Sequence, residues 1–329
     1  MSTPTQKKII FTKRARAELL CEPAEQAPGI GEICGRTLVS VISSGSESGG
    51  YMDYFGGSTY PCATGYAAVL EITCIGQNVE GFTEGDLVFV EAPHQLHQTV
   101  PAERAVKLPK GMRPEHAVLS RFPAVSLTSL IETPIRPTEP AVVSGLGIVG
   151  LMCAQLARHF GYPVYAVDPV ALRRETAVRC GVEASFASID ALDAPAGMKG
   201  KFGLALECSG NDHATLGLVP MLRKGGELSL IGVPWRQTSD VSAHELFRQI
   251  FIGYVHVRSG WEWSLPRQSQ DFLPNSTALN FATSMRLIHE GAIRVEGTYG
   301  LHRPQDCNAL YQTIAAGKLE TTCAMFDWR

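Results

Sequence analysis

From residue 141 onward, short apolar runs alternate with stretches in which apolar residues recur at helical spacing. The runs at 141–144, 164–168, 204–208 and 227–233 predict buried strands, and the stretches at 149–160, 171–180, 213–222 and 244–249 predict helices. Gly161, Gly181 and Gly225 follow three of those helices, where a residue of positive φ is wanted to end the helix. Strand and helix in alternation build a parallel, doubly wound sheet. Before about residue 106 the pattern differs. Short extended segments at 37–42, 67–75 and 86–90 are broken by Gly and Pro and predict an antiparallel β domain. After about residue 260 come two helical patterns, 277–290 and 304–316, and a closing extended piece at 321–326. The fold class expected is α/β, with an antiparallel β domain and a parallel-sheet domain.

The first strand of the second region, Ala141-Val142-Val143-Ser144, runs into Gly145-Leu146-Gly147-Ile148-Val149-Gly150 and then into a helix. This is the strand, turn and helix that bind the pyrophosphate of a dinucleotide. Gly145 permits the tight turn, Gly147 lets a phosphate approach the backbone, and Gly150 lets the helix pack on the sheet. The unpaired N–H groups of the helix N-terminus, around Ile148 and Val149, face the phosphates. A second extended run follows that helix and ends in Asp168, where a carboxylate that binds the adenosine ribose is expected. NAD is therefore the expected cofactor. Arg173 and Arg174 leave NADP open, since either could turn toward a 2′-phosphate. Ile231-Gly232-Val233-Pro234 ends another strand at the carboxyl edge of the sheet, so the backbone of Gly232 and Val233 is expected to meet the nicotinamide.

Composition narrows the class without adding chemistry. The chain has 329 residues, enough for two cores, with 45% hydrophobic and 19% charged residues and a formal net charge of -3. That balance offers no broad attraction for nucleic acid or an anionic membrane, and neither partner is expected. Residues 1–20 interleave Lys7, Lys8, Lys13, Arg14 and Arg16 with short apolar pieces, unlike a signal peptide, and no later segment has the apolar length to span a bilayer. A cytoplasmic protein is expected. Nine cysteines occur with no C-x-x-C pair, which argues against a zinc ribbon, an iron–sulfur site or a redox dithiol.

The whole layout resembles the medium-chain dehydrogenase/reductase superfamily. The resemblance is carried by Gly65-Tyr66-Ala67, Gly81-Phe82-Thr83-Glu84-Gly85-Asp86-Leu87-Val88, the GLGIVG turn, Glu207-Cys208-Ser209-Gly210 and Arg223-Lys224-Gly225-Gly226. It implies a GroES-like catalytic domain from residues 1–115 and 265–329, and a Rossmann domain from 116–264 with the cofactor in the cleft between them. It adds Cys208, Ser209 and Gly210 to the expected cofactor positions. It also implies a homodimer, joined near residues 250–257.

Zinc-dependent members of that superfamily hold the metal with a Cys in one phrase, a His in a second and a third ligand before the cofactor domain. Here the matching phrases are Ser44-Gly45-Ser46-Glu47, Gly65-Tyr66-Ala67 and Arg121-Phe122-Pro123. Ser and Tyr hydroxyls bind zinc poorly and Phe cannot bind it, so no catalytic zinc is expected. Residues 91–104 contain no cysteine, so no structural zinc is expected either. His94 and His97 lack a third ligand and are expected to be exposed or substrate-facing.

Without zinc, a side chain must take the hydroxyl proton and stabilise the developing alkoxide. The resemblance puts Tyr66 first, with Ser44 and Ser46 as a hydroxyl relay and Glu47 to orient it or serve as base. In the bland alternative, Tyr66 fills the former metal cavity and Glu47 pairs with backbone N–H groups or an Arg. Tyr51, in a Gly-rich loop, lines a substrate cleft or packs as loop core. Trp261 and Trp263 point to one face if extended, and suit either a flat ligand or a subunit contact.

The function expected is a zinc-independent, NAD-dependent oxidoreductase that interconverts a secondary alcohol and a ketone on a polyhydroxylated or cyclic metabolite. Ser-Gly-Ser-Glu also resembles the phrase in zinc-free members such as bacteriochlorophyllide hydroxyethyl dehydrogenases. Two alternatives are an NADPH-dependent reductase of activated C=C bonds and a non-catalytic dinucleotide-binding sensor.

Overall fold

Strand Glu32–Val41 is the hub of the first sheet: its Ile33 packs in one core with Ala68, Leu70, Ile72 and Val100 from two of its partner strands. It pairs antiparallel with Ala67–Ile75, His97–Pro101 and Cys323–Asp327. The computed structural model describes residues 5–24, 27–194 and 197–329. Contacts group the chain into two units, Met1–Arg121 with Glu296–Arg329, and Phe122–Val295.

The seven-stranded sheet of the first unit runs Tyr299–His302, Cys323–Asp327, Glu32–Val41, Ala67–Ile75, Leu87–Val90 and Val106–Lys107, with His97–Pro101 on the central strand. One pair, Tyr299–His302 with Cys323–Asp327, is parallel; the others are antiparallel. A three-stranded sheet holds Arg16–Pro23, Thr5–Lys13 and Cys62–Ala63.

Residues 44–52 correct an expectation. The Gly-rich loop is a helix, Ser44–Met52, despite three glycines of poor helix propensity. Glu47 compensates by reaching back to accept the Ser43 N–H at 2.8 Å. Tyr51 therefore lies in the core, not in a substrate cleft. Its ring packs edge-on to Phe11 and stacks with Tyr311, and its hydroxyl donates to the Ala15 carbonyl at 2.8 Å.

The second unit has a six-stranded, wholly parallel sheet in the order Ser185–Phe186, Val164–Val167, Ala141–Ser144, Phe202–Glu207, Leu222–Leu230 and His256–Ser259. Strand order reverses between Ala141–Ser144 and Phe202–Glu207, and ligands of such sheets bind at the carboxyl ends of the strands at that point. Helix Asp212–Leu218 stops short of the expected 222 because Pro220 follows. Helix Ala243–Gly253 runs past 249, so the edge strand begins at His256 and not at 250.

Both domain limits shift from expectation. The first falls at 121 and the second at 295, because Thr277–His289 packs within the second unit. Asn280 Nδ2 donates to Thr128 Oγ1 at 3.1 Å, and the Gln155 amide binds both backbone groups of Arg294.

Candidate active site

In the second unit the Gly145–Gly150 turn leaves strand Ala141–Ser144 and caps helix Ile148–His159 with Gly147. Gly145 has φ +86°, and a Cβ there would meet Ser209 at 2.8 Å. A Cβ on Gly150 would stand 1.7 Å from the Gly145 carbonyl oxygen, so this glycine is required by packing. Gly147 differs: a Cβ there would meet nothing within 4 Å. The space over Gly147, at the N-terminus of a 12-residue helix, is open to an anion.

The neighbouring strand ends complete the arrangement. Cys208 N–H donates to Ser144, and Ile231 and Gly232 both donate to the Glu207 carbonyl at 2.8 Å. A Cβ on Gly210 would meet the Val233 carbonyl at 2.5 Å, and one on Gly232 would meet Gly210 N at 2.5 Å. Gly145, Ser209, Gly210, Gly232 and Val233 are thus brought to one end of the sheet. The buried Glu207 side chain ties this end together, accepting from Ser209 N at 2.7 Å, Gly210 N at 2.9 Å and the Ser209 hydroxyl. Burial raises its carboxyl above the ordinary range against those three donors.

Asp168 ends the next strand and is 1% exposed. Its carboxylate accepts Leu146 N–H at 2.7 Å and Val170 N–H at 2.8 Å, which pins it to the glycine turn. Arg173 Nη1 lies 3.4 Å from the same carboxylate, and Arg174 donates to the Asp168 carbonyl at 2.7 Å.

In the first unit, Glu47 is 6% exposed and satisfied from four directions. Besides Ser43 N–H on one oxygen, the other accepts Tyr311 OH at 2.5 Å, Thr64 OH at 2.7 Å and His94 Nε2 at 3.1 Å. A carboxylate can only accept, so His94 carries a proton on Nε2. His94 Nδ1 lies 2.7 Å from Ser40 Oγ, which also receives the Trp328 indole N–H at 2.8 Å. Burial alone would raise the Glu47 carboxyl, but the opposing charge of His94 and its hydrogen bonds outweigh it and hold Glu47 below the ordinary carboxylate range. Burial first, and the Glu47 charge second, push the Tyr311 phenol well above its ordinary value.

That network sets the next loop. Thr64 is held by Glu47, and its carbonyl accepts His94 N–H at 2.8 Å. Gly65 follows with φ +139° and no room for a Cβ, which would stand 2.3 Å from His94 N. Tyr66 comes next, half-buried at the start of Ala67–Ile75. The Arg121 guanidinium carbon lies 4.2 Å from the centre of its ring. Arg121 is 2% exposed and stands 3.5 Å from Glu91 Oε1.

A family model described as zinc-binding dehydrogenase matches residues 149–267. L-threonine 3-dehydrogenase of Serratia proteamaculans is 26% identical over 238 residues, 61% of this chain and 69% of that protein. The fold matches galactitol-1-phosphate dehydrogenase from Escherichia coli with TM-score 0.81 and 16% identity, covering 98% of this chain and 99% of that one. It matches acetophenone reductase from Geotrichum candidum in complex with NAD with TM-score 0.79 and 15% identity, covering 99% and 98%. Together these likenesses support the medium-chain dehydrogenase/reductase superfamily. The protein is an oxidoreductase of that type.

Within that superfamily the departures of this chain stand out. The phrases that resemble those holding zinc in zinc-dependent members carry Ser44, Tyr66 and Phe122. The Ser44 hydroxyl is buried with no hydrogen-bond partner, and Phe122 is fully buried. Those three side chains do not fit zinc. Among the described residues no group of three or more His, Cys, Asp or Glu side chains could hold a metal ion.

Two expectations are corrected by position, those for His94 and for the paired tryptophans. His94 is fully buried between Ser40 and Glu47, so it faces no substrate. Glu47, expected either to orient or act as base or to pair with backbone N–H groups or an Arg, has its lone pairs engaged by four donors, the Ser43 backbone N–H among them. Trp261 and Trp263 do not share a strand face, because Glu262–Ser264 is a 3-10 turn; Trp261 is 60% exposed. Ser46 is half-buried on helix Ser44–Met52.

Arg121, Thr64 and Tyr311 went unassigned in the sequence. Arg121 directly precedes Phe122, and its charge in an apolar stretch was the available signal. Tyr311 lay in an ordinary amphipathic helix and carried none.

Proposed function

We propose that this protein is a zinc-independent, NAD-dependent dehydrogenase that interconverts a secondary alcohol and a ketone on a polyhydroxylated or cyclic metabolite. The observation that carries the reading is Tyr66, a half-buried phenol at a position where zinc-dependent members would place a ligand, with zinc-incompetent Ser44 and Phe122 at the other two. Tyr66 as phenolate takes the hydroxyl proton as the carbonyl forms and hydride leaves for the nicotinamide, and as phenol it returns that proton in the reverse direction. Glu47 and His94 position it by fixing Thr64 and the loop at Pro93 and His94. The open backbone over Gly147, with Ile148 and Val149 behind it, holds the pyrophosphate, and Asp168 and Arg173 flank the adenosine ribose. Cys208, Ser209, Gly210, Gly232 and Val233 border the nicotinamide, which supplies the hydride acceptor or donor when bound.

We also infer a homodimer. The edge strand His256–Ser259 has one free side in the sheet; exposed Val257 lies in it, and exposed Phe251 and Ile252 lie in the helix before it. Among the described residues no helix is long and apolar enough to cross a membrane.

The test is absorbance of reduced nicotinamide with chelator-treated protein, NAD and a panel of polyols, cyclitols, sugars and hydroxy-ketone precursors. Turnover without metal, lost by about 100-fold or more in Tyr66→Phe, supports the reading. Turnover only on enones with NADPH moves the function to C=C reduction. Nucleotide binding with turnover on neither class favours the sensor.

A further inference from the structure

Strand pairing brings together two thiols that the chain keeps far apart. Cys34 and Cys74 are direct partners in the antiparallel pair of Glu32–Val41 with Ala67–Ile75, and the register shifts only beyond them, between Cys34 and Gly35. Directly opposed residues of such a pair stand about 4.5–5.5 Å apart at Cα with their side chains on one face, inside the span of about 4.4–6.8 Å that a disulfide bridges. Both thiols are free. On the other side of the hub strand Cys34 is paired with Thr99, and the Cys34 sulfur lies 3.3 Å from the Thr99 hydroxyl. Cys74, Cys34 and Thr99 thus form one row across three strands. The lack of a C-x-x-C pair concerns thiols close in sequence, whereas this pair is made by the sheet.

The two thiols differ in access. Cys34 is fully buried, and burial pushes its thiol up to about 11, with the Thr99 hydroxyl opposing the rise and the Cys74 thiol adding to it. Cys74 is half-buried, so it is the sulfur that a reagent in solvent meets first.

We propose that Cys34 and Cys74 are a reversible oxidation site: a small-molecule disulfide such as glutathione disulfide joins them in a cross-strand bond that staples Glu32–Val41 to Ala67–Ile75. Cys74, as thiolate, attacks one sulfur of the oxidant; the oxidant's S–S bond breaks, and one glutathione thiolate leaves and takes up a proton. Cys34 then gives up its proton and attacks the Cys74 sulfur, and the second glutathione leaves as a thiol. Two protein thiols are oxidised and one small disulfide is reduced to two thiols. The closed loop encloses Ser44, Glu47, Thr64 and Tyr66, so the bond restricts the unfolded freedom of the segment that carries them. The inference does not depend on the reading of Tyr66 as acid–base group.

The test exposes the full chain to glutathione disulfide at about pH 8, alkylates the remaining thiols and maps peptides without reduction, which assigns each of the nine cysteines separately. A linked Cys34–Cys74 peptide is expected, with the melting temperature raised by about 5 °C or more and both effects reversed by dithiothreitol. Cys34→Ala should stop at glutathione on Cys74. Cys74→Ser should leave Cys34 unmodified and show no rise in melting temperature. Circular dichroism checks the folding of both, and Cys74→Ser with wild type decides the matter if Cys34→Ala does not fold. Cys34 and Cys74 recovered unlinked from oxidised, folded wild type would overturn the inference. So would a linked pair that leaves the melting temperature unmoved, or glutathione on Cys34 in folded Cys74→Ser.

Discussion

The Tyr311 hydroxyl donates to the Glu47 carboxylate at 2.5 Å across 264 residues of chain. With Ser40, His94 and Trp328 in the same network, this bond ties the C-terminal segment to the helix and loop that set Tyr66. The C-terminal segment is thus part of the candidate site's support.

Glu47→Gln should destabilise the first unit by about 2–4 kcal/mol, because the new NH2 group would face donors with nothing to accept from it. Urea denaturation checks this. A loss near zero would mean the carboxylate is not the organising acceptor.

The pH dependence has a definite sign. His94 and its hydrogen bonds hold the Glu47 carboxyl below the ordinary range against the opposing effect of burial. A depressed folded value means the stabilisation is complete above the ordinary carboxylate range and is lost as pH falls through the depressed value. Wild type should therefore lose stability in acid more steeply than Glu47→Gln, as read from melting temperatures at a series of pH values.

Gly147 and Gly150 should separate nucleotide binding from folding. Gly147→Ala meets open space and should leave melting temperature unchanged while weakening NAD binding about 10-fold or more. Gly150→Ala has no room beside the Gly145 carbonyl and should lower stability as well. Equal effects of both on stability would refute the assignment of Gly147 to the phosphates.

Arg173→Ala should reduce NADP affinity more than NAD affinity. The side chain is 44% exposed beside the buried Asp168, so it is free to turn toward a 2′-phosphate. Fluorescence titration with both reduced nucleotides measures the ratio, and a parallel loss for the two would sink this assignment.

Val257→Asp should shift the protein from dimer to monomer in light scattering. A charge on the 42% exposed side chain of an edge strand opposes pairing with a second copy. A dimer unaffected by the change would place the interface elsewhere.

The sequence by itself determined the parallel sheet and its glycine turn. Strand and helix periods are local, and Gly145, Gly147 and Gly150 stand in one short turn whose spacing reflects the steric demands of that turn. Donor chemistry belongs to the residue type, so the sequence also supplied the reading of Ser44, Tyr66 and Phe122 as poor zinc ligands. Local pattern misled at Ser44–Met52, where three glycines read as loop and a side-chain bond from Glu47 to the Ser43 amide sustains a helix. It misled again at His94, expected to be exposed or substrate-facing but satisfied inside, while of the two readings open for Tyr51 the packed one holds. Only the tertiary structure decided which side chains share the surroundings of Tyr66, because Glu47, His94 and Tyr311, like Arg121, come from segments far apart in the chain. Hydrogen bonds and cation–ring contacts between such segments depend on how strands stack and loops cross, and they leave no periodic trace along the chain.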